Sequence, residues 1–149
     1  MLMNKVKFIY PILIATILFS FVGCDWEDDD VDYLVGSAWV LDKTTTYAPS
    51  GRVRGVFYDD DVTMKFYHDG DVSIRTTTVG RFGRVYEDWY MGSWRLFGDE
   101  LTLHLESGVY EYVVEHLSNW HLVLRYYQDV YDDFGELIYT ERVEEEYVR

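Results

Sequence analysis

An alternation of apolar and polar residues runs through most of the chain from Gly36 onward and constrains the fold more than any other feature. In residues 61–68, for example, it places Val62, Met64 and Phe66 on one face. β-Branched and aromatic residues are abundant, and turn signals recur at a spacing of about 8–15 residues. No segment carries an apolar stripe with the period of a helix, so we expect β-strands and no long helix.

The turns divide this region into short segments that follow one another directly. We predict about eight strands, at residues 37–47, 61–68, 71–78, 85–96, 100–106, 109–115, 120–127 and 136–148, with a short extended piece at 52–58. Asp69-Gly70 is a strong hairpin turn, and Gly92 indicates a bulge or sharp bend within its strand.

Consecutive hairpins favour an antiparallel meander, and an exposed sheet edge promotes aggregation unless the sheet closes on itself. The predicted fold is therefore all-β, an antiparallel up-and-down eight-stranded barrel formed by residues 36–149. A β-sandwich is the alternative.

The first 23 residues have the layout of a secretory signal. Lys5 and Lys7 precede an apolar run over residues 8–22, and the small residue Gly23 follows. The alternative is a permanent membrane span, but the apolar run is shorter than the ~20 residues that a span requires and contains Pro11. We therefore expect residues 1–23 to be a signal peptide.

The end of this leader resembles a bacterial lipobox. Val22, Gly23 and Cys24 match its pattern, whereas Phe21 stands where leucine is usual. The resemblance implies cleavage before Cys24 and acylation of that cysteine, which would attach the protein to a membrane. The alternative is a plain secretory signal followed by a stray cysteine, which would be an exposed thiol without a disulfide partner.

Residues 24–35 form an acidic tether, with six acidic residues between Asp25 and Asp32. Because like charges repel, we expect this segment to be extended. It is either a solvated linker or an address: such a run after a lipidated cysteine resembles the surface-export signal of lipoproteins in some Gram-negative gut and oral anaerobes. Asp25 itself resembles an inner-membrane retention signal of enterobacteria, but the length of the run favours a surface-exposed outer-membrane lipoprotein.

Several motifs in the β-rich region resemble those of lipocalin-like lipoproteins. They are an opening Gly-x-x-Trp strand at 36–41, a Phe-x-x-Asp-Gly hairpin at 66–70, a Gly-x-Trp strand with a Gly-Asp turn and a Leu-x-Leu strand at 92–103, and continuations at 110–113, Leu117 and 122–124. The resemblance implies a small lipocalin-like barrel in a family mostly without assigned activity. It does not imply any particular ligand.

The sequence offers few groups for catalysis or metal binding, so we predict no enzyme, no cofactor and no metal. His116 and His121 flank a turn and could approach each other, but nothing else supports a zinc site. The acidic loops at 59–61 and 129–136 lack the spacing of a calcium-binding EF-hand. Nucleophile, phosphate-loop and dinucleotide motifs are absent.

The net charge of −14 argues against binding to nucleic acid and favours a cationic partner. Aromatic residues make up 18% of the chain, which favours a packed barrel or a ligand cavity. The inward-facing candidates for lining a ligand site are Trp39, Met64, Phe66, Tyr110, Tyr112, Leu124 and Tyr126.

Three functions fit the sequence. The sequence does not indicate an oligomeric state. The leading hypothesis is a membrane-anchored barrel without catalysis that binds a small apolar ligand or a partner. The alternatives are an acidic inhibitor or adhesin-like module that binds a basic protein, and a structural subunit of an envelope complex.

Overall fold

The computed structural model describes residues 28–149. The described residues contain one short helix, nine strands and a 3-10 turn at Arg81–Gly83. The elements are α1 Asp28–Leu34, β1 Trp39–Tyr47, β2 Val53–Tyr58, β3 Val62–Phe66, β4 Asp71–Val79, β5 Val85–Phe97, β6 Glu100–Leu105, β7 Gly108–Leu117, β8 His121–Tyr131 and β9 Leu137–Val148. In this described part of the chain, no helix is long and apolar enough to cross a membrane.

The strands form one antiparallel sheet that closes when β9 pairs with β1. Eight strands, β1 and β3 to β9, complete the barrel, and β2 is an additional strand. The predicted up-and-down barrel is therefore confirmed, and the sandwich alternative is not adopted.

The additional strand β2 shares one edge of β1 with β3. β9 occupies the other edge, from Val40 to Tyr47, while β3 pairs with Trp39 and Val40 and β2 pairs with residues 43–47. The acidic loop 59–61 links β2 and β3. β2 and β3 therefore lie one after the other along the same edge of β1, and this loop interrupts them.

The core fills one end of the barrel, which we call the closed end. Strand alternation brings large apolar side chains inward there, and the fully buried ones include Trp39, Phe66, Val72, Leu101, Leu103, Leu122, Leu124 and Tyr147. The Phe66 and Trp94 rings meet edge to face with centroids 5.6 Å apart. These buried side chains supply most of the hydrophobic stabilisation of the fold.

Helix α1 covers the closed end, because Leu34 and the following Val35 are buried in the core. The Trp39 indole N–H donates to the Leu34 carbonyl at 2.9 Å. The Arg149 guanidinium donates to the carbonyls of Leu34 and Val35 and lies 3.8 Å from the centre of the Trp39 ring. The prediction of an extended tether is wrong for residues 28–34, because burial of the apolar end of this segment stabilises the helix.

Of the bulge or sharp bend predicted at Gly92 in β5, the bulge is absent. Gly92 pairs in regular register with Val72 on one side and Leu105 on the other. A Cβ atom at Gly92 would lie only 2.1 Å from the His104 carbonyl oxygen. The glycine is required by the close approach of β6 rather than by an irregular strand.

A hairpin turn is present at Asp69-Gly70 as predicted, but it is longer than those two residues, because β3 ends at Phe66 and not at the predicted residue 68. Gly70 has a φ of +89°, a conformation that glycine adopts readily, and its N–H donates to the Tyr67 carbonyl at 3.1 Å.

Candidate functional site

The open end of the barrel lies opposite α1, and its interior is accessible to solvent. Opposed residues of an antiparallel pair share one face of the sheet. Phe57 lies opposite Thr44, and Tyr90 lies opposite Ile74, so both rings belong to the inward face. Phe57 is nevertheless 60% exposed and Tyr90 42% exposed, which shows that the interior is not filled at this end.

The wall of the barrel is also open between β7 and β8. These strands pair only over residues 113–117 and 122–125, with a register shift between Val114 and His116. Gly108–Tyr112 pairs with β6 alone, and Tyr126–Tyr131 pairs with β9 alone. Among the described residues, therefore, no backbone ladder joins these two stretches of β7 and β8, and they form the two sides of a gap.

A cavity of about 900 Å³ occupies this gap. The inward side chains of Leu101, Tyr110, Tyr112 and Tyr126 line its inner part, and outward side chains such as Glu111, Arg125 and Tyr127 line the larger part, which is open to solvent. It therefore runs from the outer surface through the wall toward the interior. Its volume lies within the range of about 300–1,000 Å³ that is common for small-molecule sites.

The predicted lining residues divide into two groups. Tyr110, Tyr112 and Tyr126 lie together around this cavity. Trp39, Met64, Phe66 and Leu124 belong instead to the packed core, where each is at most 2% exposed.

The acidic residue Glu145 faces the barrel interior, since it lies opposite Leu124 on β8 and Thr44 on β1. Its two carboxylate oxygens accept hydrogen bonds from Tyr126, at 3.2 Å, and Tyr147, at 2.7 Å. The Tyr112 ring meets the Tyr126 ring edge to face with centroids 5.5 Å apart. We call Tyr112, Tyr126, Glu145 and Tyr147 the Glu145 cluster.

Burial determines the electrostatics of this cluster. Desolvation raises the pKa of Glu145, although hydrogen bonds from Tyr147 and Tyr126 act in the opposite direction. Desolvation, followed by the negative charge of Glu145, also raises the pKa of Tyr112, Tyr126 and Tyr147. The three phenols therefore stay protonated near neutral pH and can donate hydrogen bonds.

Neither Glu145 nor Tyr147 was predicted from the sequence as a site residue. Glu145 is the middle residue of the run Glu144-Glu145-Glu146, and such a run is typical of a solvated surface. The signal that could have identified it is alternation, because Val143 and Tyr147 on either side are buried core residues of β9. Residues 143, 145 and 147 must then share the inward face.

Two of the other clusters that the sequence suggested lie on the outside. The His116 and His121 rings do approach, with centroids 5.2 Å apart, and His121 lies 3.4 Å from Glu146. The carboxylates of Asp59, Asp60 and Asp61 lie within 4.8 Å of one another, in a loop on the surface. Exposed acidic groups of this kind are common without a metal, so we assign no metal site to them.

The fold resembles those of solved structures, one of which is described as lipocalin-like. A lipocalin-like protein from Bacteroides uniformis superimposes with a TM-score of 0.50 and 18% identity, over 78% of this chain and 97% of that one. Lobster apocrustacyanin A1 gives a TM-score of 0.50 and 16% identity, over 83% of this chain and 64% of that one.

An uncharacterised protein from Bacteroides eggerthii has 17% identity and a TM-score of 0.46, over 75% of this chain and 98% of that one. No protein-family model matches the sequence, and no curated protein matches it significantly. The lipobox at residues 21–24 lies outside the described residues. The similarity in structure, together with the closed antiparallel barrel, establishes that the chain has the lipocalin-like fold predicted from its motifs.

Proposed function

We propose that this protein is a membrane-anchored binding protein whose barrel takes up a small apolar ligand without catalysing a reaction. The observation that carries the proposal is the cavity of about 900 Å³ in the gap between β7 and β8, lined by Tyr110, Tyr112 and Tyr126. Tyrosine rings provide apolar contact area, and the hydroxyl groups can orient a polar part of the ligand.

The proposed anchor is Cys24, acylated after removal of residues 1–23. Helix α1 packs on the closed end, so the tether joins the barrel there. This position supports an orientation in which the closed end of the barrel faces the membrane. The open end then lies on the opposite side of the domain from the tether. A ligand in the surrounding medium would reach the cavity without approaching the membrane.

Ligand binding can be tested with N-phenyl-1-naphthylamine, a neutral apolar reporter that fluoresces more strongly in apolar surroundings. We expect saturable binding to the domain and about tenfold weaker binding to Tyr126→Ala, because that change removes a ring from the cavity wall. Tyr131→Ala is the matched control: it changes an exposed tyrosine of the same strand that does not line the cavity. The proposal fails if the reporter does not bind, or if both variants bind it as the wild type does.

The anchor can be tested by labelling cells with a radioactive fatty acid. Cys24→Ala should abolish incorporation of the label, whereas Ser20→Ala, a change within the leader, should leave it intact. Unchanged labelling of Cys24→Ala would refute the lipobox interpretation.

Surface exposure is a separate part of the proposal. Replacing Asp28, Asp29 and Asp30 with alanine should reduce digestion by protease added to intact cells. If digestion does not change, the acidic segment acts only as a linker.

A further inference from the structure

Glu145 differs from the acidic residues on either side of it in having no cationic partner. Glu144 lies 3.4 Å from Arg142, and Glu146 lies 2.5 Å from Lys43. In the part of the chain that the structure describes, no lysine, arginine or histidine forms an ion pair with Glu145, and its recorded contacts are with the Tyr126 and Tyr147 hydroxyls. It is therefore an inward-facing acid whose counter-charge the described residues do not supply.

Two tyrosine hydroxyls hold this carboxylate beside the cavity, since Tyr126 and Tyr147 both donate hydrogen bonds to it. Tyr112 and Tyr126 line the cavity, and the Tyr126 hydroxyl connects the cavity wall to Glu145. A carboxylate combined with the faces of several aromatic rings suits a positively charged amine, which gains both ion pairing and cation–π attraction. Both effects strengthen where part of the water is displaced, as at the half-buried Glu145.

The charge of the whole protein acts in the same direction. Its net charge is −14, and a recess of low dielectric concentrates such a field. A cation is attracted toward the cavity, whereas a fatty acid or another anion meets repulsion both outside and at Glu145.

We propose that the cavity selects ligands that join a cationic amine to an apolar body, with Glu145 as the counter-charge and Tyr112 and Tyr126 packed around the amine. This inference rests on the proposed ligand-binding function and specifies the class of ligand. The apolar part of the ligand occupies the gap between β7 and β8, and the amine lies toward β9.

Three probes built on an eight-carbon chain, which in octanoate includes the carboxylate carbon, test this selectivity: octyltrimethylammonium, octanol and octanoate. Each competes with N-phenyl-1-naphthylamine for the wild-type domain, and displacement is followed by fluorescence. Octyltrimethylammonium should displace the reporter at concentrations at least about tenfold lower than octanol, and octanoate should be the weakest competitor.

Two charge-removing variants separate Glu145 from the general surface charge. Glu145→Gln should bring octyltrimethylammonium and octanol to within about twofold of each other, because only the neutral contacts remain. Glu146→Gln removes the same charge from the outward face of the same strand and should keep the preference of the wild type. A preference that persists in Glu145→Gln would overturn the role of Glu145.

A second readout does not depend on a variant. In protein labelled with ¹³C at glutamate side chains, octyltrimethylammonium should shift the carboxyl resonance of Glu145 far more than octanol does. If the reporter binds but all three probes compete equally, the inference is wrong while the ligand-binding function stands. If neither the reporter nor any probe binds, the proposed function itself is wrong.

Discussion

At the closed end of the barrel, Trp39, Phe66 and Leu122 face the interior and are fully buried, whereas at the open end Phe57 and Tyr90 also face the interior but are 60% and 42% exposed. Both ends belong to one closed sheet with the same alternation of side chains. The difference lies in what covers them: α1 and Arg149 pack on one end. An inward position in this barrel is therefore not the same as a core position.

The strand pairing shows a similar contrast. Near the closed end, β7 pairs with β8 from Val113 to Leu117, and beyond Val113 the two strands separate. Where the two strands form no backbone hydrogen bonds with each other, a cavity passes through the wall of the barrel. We interpret the closed end as the part that stabilises the fold and the open end as the part that binds.

The largest effect should come from a pair of matched phenylalanine substitutions. Phe66→Ala should lower the free energy of unfolding by about 3–5 kcal/mol, because it leaves a cavity in a packed core. Phe57→Ala should lower it by less than about 1 kcal/mol, since most of that ring is already in water. Urea denaturation of both variants measures the difference. Equal decreases in the free energy of unfolding would contradict the distinction between the two ends.

A smaller effect should follow from removing the charged group that fastens α1. Arg149→Met keeps much of the apolar stem but removes the hydrogen bonds to Leu34 and Val35 and the contact with Trp39, which should cost about 2 kcal/mol. Hydrogen exchange should then accelerate in α1 but not in the residues around the cavity. Arg95→Met, at an exposed position in β5, is the control. If hydrogen exchange in α1 is as slow in Arg149→Met as in the wild type, the account is contradicted.

The smallest effect should be a pH dependence that arises at Glu145. Its pKa in the folded protein is raised above the ordinary value of 4.5, so between these two values the folded state binds more protons than the unfolded state. Stability from this group is therefore lost as pH rises through that window, by at most about 1.4 kcal/mol per pH unit.

Comparison with Glu145→Gln isolates this contribution from that of the many other carboxylates. The free energy of unfolding of the wild type minus that of the variant should fall as pH rises above 4.5 and become constant above the folded pKa. Denaturation curves at several pH values measure it, and a difference that increases with pH would show that Glu145 is stabilised as an anion.

The sequence predicted the strands and the closure of the sheet well because both depend on local patterns. Alternation placed Met64 and Phe66 on one face, and a long open edge made closure favourable. The gap between β7 and β8 was not predictable, because the alternation of side chains does not indicate where two neighbouring strands stop pairing. The sequence also does not indicate which inward side chains are buried, because their burial depends on where α1 packs.

The most direct test of the central claim is a titration of ¹⁵N-labelled domain with N-phenyl-1-naphthylamine, followed by backbone amide chemical shifts. The account predicts saturable changes concentrated at Tyr110–Tyr112, Tyr126 and Glu145, with the amides of Trp39, Phe66 and Leu122 almost unchanged. Changes spread over the outer surface, or centred on the closed end, would contradict it.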